Sequence, residues 1–205
     1  MTRFGFLLAR TLRREAPLAA LSVPQSALLA DLAGRSVALV GNARSLAGTR
    51  HGAEIDGHDL VVRINRAPMP APQSHGTRTD WLALATALPA ADRARLHPGR
   101  YLWMSHKRKR LDWETATSPG FYLHPRAEYA GLKARLGAQP TTGAMLIDLF
   151  ARSDLSRLTL FGFDFFASLS LSGRRTAEQV PHDFDAEAQF VAALMAQDSR
   201  ISRAN

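Results

Sequence analysis

The sequence predicts a single α/β domain, with a central, mostly parallel sheet and helices on both faces. Three stretches carry that expectation. Val37 to Val40 is a short apolar run closed by a Gly41-Asn42 turn, the pattern of a buried parallel strand entering a tight connection. Asp59 to Asn65, DLVVRIN, is a second β-branched run, stopped by Arg66-Ala67-Pro68. Leu158 to Phe161 is a third, ending on Gly162-Phe163-Asp164. It follows a helix whose apolar residues Met145, Leu146, Leu149 and Phe150 repeat at helical spacing. In an open parallel sheet a ligand binds outside the carboxyl ends of adjacent strands. A site is therefore expected at the turns after the first two strands, where Asn42 and Asn65 offer amide donors and acceptors.

A length of 205 residues suits one domain with a substantial core. We divide it into a basic amphipathic helical segment, 1–35, and the main domain, 36–205. A hydrophobic content of 46% and a charged content of 21% are those of a soluble globular protein. There are no cysteines, which excludes disulfides and thiolate metal sites and suits a reducing cytoplasm. A formal charge of +8 favours anionic partners: a nucleotide, an acidic glycan, a membrane surface or nucleic acid. Charge alone does not choose among them.

Along the chain, Phe4 to Ala9 is far shorter than the ~20 residues a helix needs to cross a bilayer. It also lacks the long apolar centre of a signal peptide. Arg3, Arg10, Arg13 and Arg14 flank it, so the segment reads as a basic amphipathic helix, and Gln25 to Ala33 as another. The first packs on the sheet edge, or it is a peripheral foot on an anionic membrane. After Pro68 comes a proline-rich loop, then a strand from Trp81 to Ala85. The Gly76-Thr77-Arg78-Thr79 turn holds a neighbouring loop or serves only as turn chemistry.

Leu88 to Leu96 reads as helix, and Arg100 to Met104 and Phe121 to His124 as strands. Between those strands lies Ser105-His106-Lys107-Arg108-Lys109-Arg110, the densest basic run. It is a solvated surface, or it contacts an anionic group. Nucleic acid is not expected, because aromatic residues flank this run without interleaving it. Thr141-Thr142-Gly143 opens the helix that runs to about Arg152; Thr141 is an N-cap, or the helix start is an anion site. His182 to Glu187 precedes a helix carrying Phe190, Val191, Leu194 and Met195, and its three acids suit a helix start.

Taken together, these segments resemble the motifs of the eukaryotic-type sialyltransferases, the CMP-sugar-dependent glycosyltransferases. The large motif is matched by the first strand, Gly41-Asn42, the Gly-x-x-Ile-Asp-x-His-Asp block, Arg63-x-Asn65 and Ala67-Pro68. The small motif is matched by Pro140-Thr141-Thr142-Gly143, the apolar helix and the strand ending on Gly162-Phe163. The very small motif is matched by His182 with Glu187 five positions later. The family's cysteines would fall at Val37 and near Ser153 or Asp154, so both halves of its usual disulfide are missing together.

The resemblance implies a Rossmann-like variant of the nucleotide-sugar glycosyltransferase fold and an inverting transfer of sialic acid or Kdo from CMP to a glycan or glycolipid hydroxyl. His182 would be the general base, with Glu187 beside it in the catalytic pair. Gly41, Asn42, Ala43, Asn65, Thr141, Thr142, Gly143, Gly162, Phe163 and Asp164 would bind the donor. No metal or other cofactor is implied, and Asp183-x-Asp185 fits a helix cap better than a metal site. The family's phosphate-binding histidine motif is absent from the interval after Asp164. Arg174 and Arg175 are the candidate phosphate contacts in its place. The expected location is the cytoplasm; if the N-terminal helix is the membrane foot rather than an edge-packed helix, the active site lies at the inner face of a membrane, near a lipid-linked acceptor.

A second class remains, a non-catalytic nucleotide- or glycan-binding protein that kept the fold. A dinucleotide-dependent dehydrogenase is excluded. Gly41-Asn42-Ala43-Arg44 lacks the second glycine that admits a pyrophosphate, and the second strand does not end on an acid.

Overall fold

Among the described residues, seven strands form one sheet: β1 (Ser36–Val40), β2 (Leu60–Ile64), β3 (Trp81–Leu84), β4 (Arg100–Trp103), β5 (Tyr122–Leu123), β6 (Arg157–Phe161) and β7 (Ile201–Arg203). Their order is β5-β4-β3-β2-β1-β6-β7, and every neighbouring pair is parallel. The computed structural model describes residues 1–164 and 181–204. Parallel neighbours need a crossover. Helical segments supply them: α4 (Gly52–Asp56), α5 (Pro72–His75), α6 (Ala90–Leu96), α7 (Trp113–Ala116), α8 (Arg126–Leu136), α9 (Thr142–Ala151) and α10 (Phe184–Gln197), with 3-10 turns at Arg44–Gly48 and Arg108–Arg110. Ahead of the sheet come α1 (Arg3–Thr11), α2 (Glu15–Ala19) and α3 (Gln25–Ala30).

The chain runs outward from β1 to β5, then returns to place β6 on the other side of β1. That reversal opens a crevice at the strand ends. Register makes the ends coincide, since Val40 lies opposite both Arg63 and Phe161. Alternation along β1 then sorts the core. Val37 and Leu39 pack with α9 and with Leu28 and Val191, while Ala38 and Val40 pack with Leu46, Ile55 and Phe161 on the opposite face. Helix α9 is buried from Thr142 to Phe150, which fixes where its first turn lies.

The N-terminal helices share this frame. Leu28 and Leu32 join the α9 core, and Phe6, Ala9 and Leu18 join a cluster around Trp103 and Leu111. Arg108 ties them in. Its side chain is only 1% exposed, pairs with Glu15, and donates to the Ser105 and His124 carbonyls. The basic run is therefore not simply a solvated surface, because burying an arginine demands this full set of partners. Lys107, Lys109 and Arg110 are exposed. The sequence reading misses the short helices α2, α4, α5 and α7, with α5 lying in the stretch read as a proline-rich loop. It also misses α8, whose only buried residue is Leu132, and the three-residue β7, buried only at Ile201. Among the described residues, no helix is long and apolar enough to cross a membrane.

Candidate active site

A cavity of about 470 Å³ opens at the strand ends, within the usual range for small-ligand sites. The ends of β1, β2 and β6, the first turn of α9 and the segment from Pro181 to Glu187 all reach it. All of the residues singled out from the sequence as catalytic or donor-binding line it, except Arg174 and Arg175, which lie outside the described residues.

Glycine is required where the backbones meet. A Cβ on Gly41 would stand 2.4 Å from the Gly162 carbonyl oxygen, and Gly162 itself has φ +66°. A Cβ on Gly143 would stand 2.6 Å from the Phe163 ring, so that ring lies against the start of α9. Such approaches leave no room for another side chain.

Each asparagine spends half of its amide on the fold. The Asn42 Nδ2 donates to the Ile64 carbonyl at 3.1 Å. The Asn65 Oδ1 accepts from the Ala85 amide at 2.9 Å, and its backbone has φ 55°, a conformation asparagine tolerates better than most residues. Both line the cavity, with Asn42 Oδ1 and Asn65 Nδ2 as the halves not used in these bonds. Asp164 also borders the cavity and accepts from the Ser45 hydroxyl at 3.0 Å.

At the start of α9, Thr141 is an N-cap whose hydroxyl accepts from the Ala144 amide. The same hydroxyl donates to Glu187 Oε2 at 2.7 Å, and the Thr141 amide donates to Oε1 at 2.6 Å. Glu187 thus clamps the helix start from behind. Burial pushes its carboxyl up to about 7, against the lowering effect of the two Thr141 bonds. The Thr142 and Gly143 amides, in the first turn, have no intrahelical acceptor.

His182 is half-buried, and its Nδ1 lies 2.7 Å from the Gln139 carbonyl oxygen. A carbonyl only accepts, so Nδ1 carries the proton and Nε2 holds the lone pair. Burial lowers the pKa of the imidazole, the Gln139 bond raises it, and the positive charge of Lys107 lowers it further. The net lowering keeps the ring neutral, the state a proton acceptor needs.

Other residues on the cavity wall were not named as site residues from the sequence, although the basic run was read as a solvated surface or a contact for an anionic group. Ser105, His106, Lys107, Arg110 and Tyr129 come from the turn after β4 and from α8. His106 stacks on Tyr129 with ring centroids 4.4 Å apart, and burial beside Lys107 and Arg108 lowers its pKa. The basic run was the one available signal for this wall; nothing in the sequence marks Tyr129. Conversely, several residues of the large motif serve the scaffold. Asp56 accepts from the amides of Thr77 and Arg78, which anchors the Gly-Thr-Arg-Thr turn as a loop holder. His58 is buried against Thr159, and Arg63 is buried and donates to the His75 and Arg78 carbonyls. Burial pulls the Arg63 guanidinium down to about 10. Among the described residues, no three histidine or acidic side chains gather as a metal-binding group.

The family model of glycosyltransferase family 29 (sialyltransferase) matches residues 18–116. No curated protein matches the chain by sequence. Solved structures match the fold. A mammalian sialyltransferase in complex with Gal-beta-1-3GalNAc-ortho-nitrophenol is 19% identical with a TM-score of 0.58, over 83% of this chain and 69% of that one. A variant of the sialyltransferase CstII in complex with CMP is 11% identical with a TM-score of 0.57, over 82% and 80%. CstII from Campylobacter jejuni in complex with the substrate analogue CMP-3FNeuAc is 13% identical with a TM-score of 0.51, over 82% and 78%.

Proposed function

We propose that this chain, a sialyltransferase-like, CMP-sugar-dependent glycosyltransferase, moves an acidic ulosonic sugar, sialic acid or Kdo, from CMP to a glycan hydroxyl with inversion at the anomeric carbon. The observation that carries this reading is His182, with its proton fixed on Nδ1 by Gln139 and its Nε2 lone pair left for the cavity. In this reading Nε2 takes the proton from the acceptor hydroxyl as that oxygen attacks, and CMP departs from the opposite face of the sugar.

In the same reading the other residues take these roles. The halves of Asn42 and Asn65 not used by the fold hold the CMP moiety, together with Gly41, Ala43 and Phe163. The Thr142 and Gly143 amides face the single phosphate, which suits a helix start. Thr141 and Glu187 act as positioning residues, since both of their side chains are committed to each other. Lys107 and Arg110 supply positive charge toward the phosphate or the sugar carboxylate, with Arg174 and Arg175 as further candidates. One phosphate met by amides and these cations needs no divalent metal for neutralisation.

The test is a titration with CMP, CMP-sialic acid and CMP-Kdo, with UDP-sugars as controls, in the presence and absence of a chelator, followed by release of free CMP. Chelator-resistant binding of CMP over UDP and release of CMP from one of the two donors are expected. Equal binding of UDP, or a strict metal requirement, overturns the assignment. Tight CMP binding without release from either donor supports a binding protein instead.

A further inference from the structure

The exposed large hydrophobic side chains of the described residues all fall in one place. Met1, Phe4, Leu7, Leu8 and Leu12 are 50%, 76%, 41%, 44% and 52% exposed, and no others are comparably bare. Phe4, Leu7, Leu8 and Leu12 are spaced i, i+3, i+4 and i+8, so they form one stripe along α1 and its cap. The opposite stripe is already used. Phe6 and Ala9 are buried, Phe6 meets the edge of Trp113 with centroids 5.4 Å apart, and Arg10 donates to the Leu111 carbonyl. An apolar outer face therefore lies on a packed inner one.

Charge indicates what covers it. Arg3, Arg13 and Arg14 are exposed and pair with no described carboxylate, and α1 has no acid in its first turn. The nearest acid in sequence, Glu15, is taken by Arg108 and Arg126. A stripe of leucine and phenylalanine bordered by unpaired arginines matches the boundary between acyl chains and anionic headgroups. A protein partner for so basic a rim would need its own acidic counterpart, whereas an anionic bilayer supplies both chemistries at once.

We infer that the outer face of α1 docks this protein on an anionic membrane, with Phe4, Leu7, Leu8 and Leu12 entering the headgroup–acyl boundary and Arg3, Arg13 and Arg14 meeting lipid phosphates. Docking brings the cavity to the surface. Helix α1 packs against the turn at Arg108–Arg110, and Lys107 and Arg110 of that same stretch line the cavity. A membrane-borne hydroxyl acceptor is thereby favoured over a free one, a consequence that rests on the proposed transfer, whereas the docking itself does not.

Vesicle sedimentation of the full chain tests it, with phosphatidylglycerol-containing vesicles against pure phosphatidylcholine. Recruitment to the anionic vesicles and its release by added salt are expected. Phe4→Ser with Leu8→Ser should lower the partition coefficient by at least roughly tenfold. Arg13→Gln and Arg14→Gln should each lower it by about fivefold. Since all four side chains are exposed, the variants should melt like the wild type and keep its CMP affinity. Equal sedimentation with both vesicle types, or variants that bind as well as wild type, overturns the inference. So does a self-associated species that Phe4→Ser with Leu8→Ser dissolves, because a second copy then covers the face. Vesicle binding without any sugar transfer leaves docking standing and counts only against the enzymatic reading.

Discussion

One wall of the cavity is carried by the ends of β1, β2 and β6, the first turn of α9 and His182. The other comes from the turn after β4, with Tyr129 of α8 stacked on His106. On the first wall, backbone geometry dictates residue type. Gly41 and Gly162 touch, Gly143 admits the Phe163 ring, Thr141 caps a helix, and Asn65 takes a left-handed backbone. On the second, a long cation reaching from an exposed turn needs no particular backbone. In the proposed reading the first wall holds what every donor shares, and the second reads charge.

The largest expected effect lies on the first wall. His182→Ala should lower turnover by roughly 100- to 10,000-fold, the range for lost acid–base assistance, while CMP affinity changes by less than about tenfold. The acidic limb of kcat/KM in the wild type should fall below the ordinary histidine value, because burial and Lys107 both favour the neutral ring. Unchanged CMP release and transfer in His182→Ala would refute the general base. Next come the asparagines. Asn42→Ala should weaken CMP by about 1–3 kcal/mol if its free oxygen meets the ligand. Asn65→Ala should add a stability loss of about 1–2 kcal/mol, since it strips the Ala85 amide of its acceptor and removes the polar side chain that offsets the left-handed backbone at φ 55°. Calorimetric titration and denaturant unfolding separate the two effects.

Lys107→Ala probes the second wall and joins it to the first. Removing one exposed cation should weaken CMP by about 1 kcal/mol or less, and less still at high salt. It should also raise the His182 pKa, because Lys107 is one of the charges holding it down. The acidic limb of the pH–rate profile would move upward. An unmoved limb would uncouple the two walls.

This division explains what was legible in the sequence. Strand ends and the capped helix were readable because turns, caps and close approaches restrict residues locally. His182, set in an acidic helix start, stood out only through the family resemblance and the order of its motifs. The parallel sheet followed from the same runs. Helix α8 was not readable, since it docks chiefly through Leu132 and leaves an otherwise polar pattern without a clear period. Arg108 was hidden for a different reason. Its partner Glu15 lies far away in sequence, so a buried staple and its solvated neighbours Lys107 and Lys109 look alike until the chain folds. Asp56 and Arg63 show the converse, motif residues whose bonds support loops.

The smallest effect on catalysis, and the most specific in sign, concerns Glu187. Its carboxyl is raised to about 7, chiefly by burial, with Asp183 adding to the rise. Between the ordinary carboxylate range and about 7 the folded chain keeps a proton that the unfolded chain has released. This group's contribution to stability is therefore fully present at low pH and is lost as pH rises through about 7. His182 acts oppositely. Its lowered pKa makes the unfolded chain bind more protons, so its contribution is present above the ordinary histidine value and is lost as pH falls from there through the lowered folded one. Glu187→Gln stays neutral throughout, and its amide can accept from the Thr141 amide and donate to the Thr141 hydroxyl. The stability difference between wild type and variant should therefore shift toward the variant by up to about 3 kcal/mol as pH rises from 4.5 to 8. Denaturant unfolding at several pH values measures it, and parallel curves for the two proteins would refute the buried carboxyl. At pH 7, Glu187→Gln should keep most turnover and CMP affinity, since the clamp on Thr141 survives. Glu187→Ala, which abandons both Thr141 bonds, should loosen the start of α9 and weaken CMP. A glutamine variant as inactive as His182→Ala would instead place the Glu187 carboxylate in the proton transfer itself.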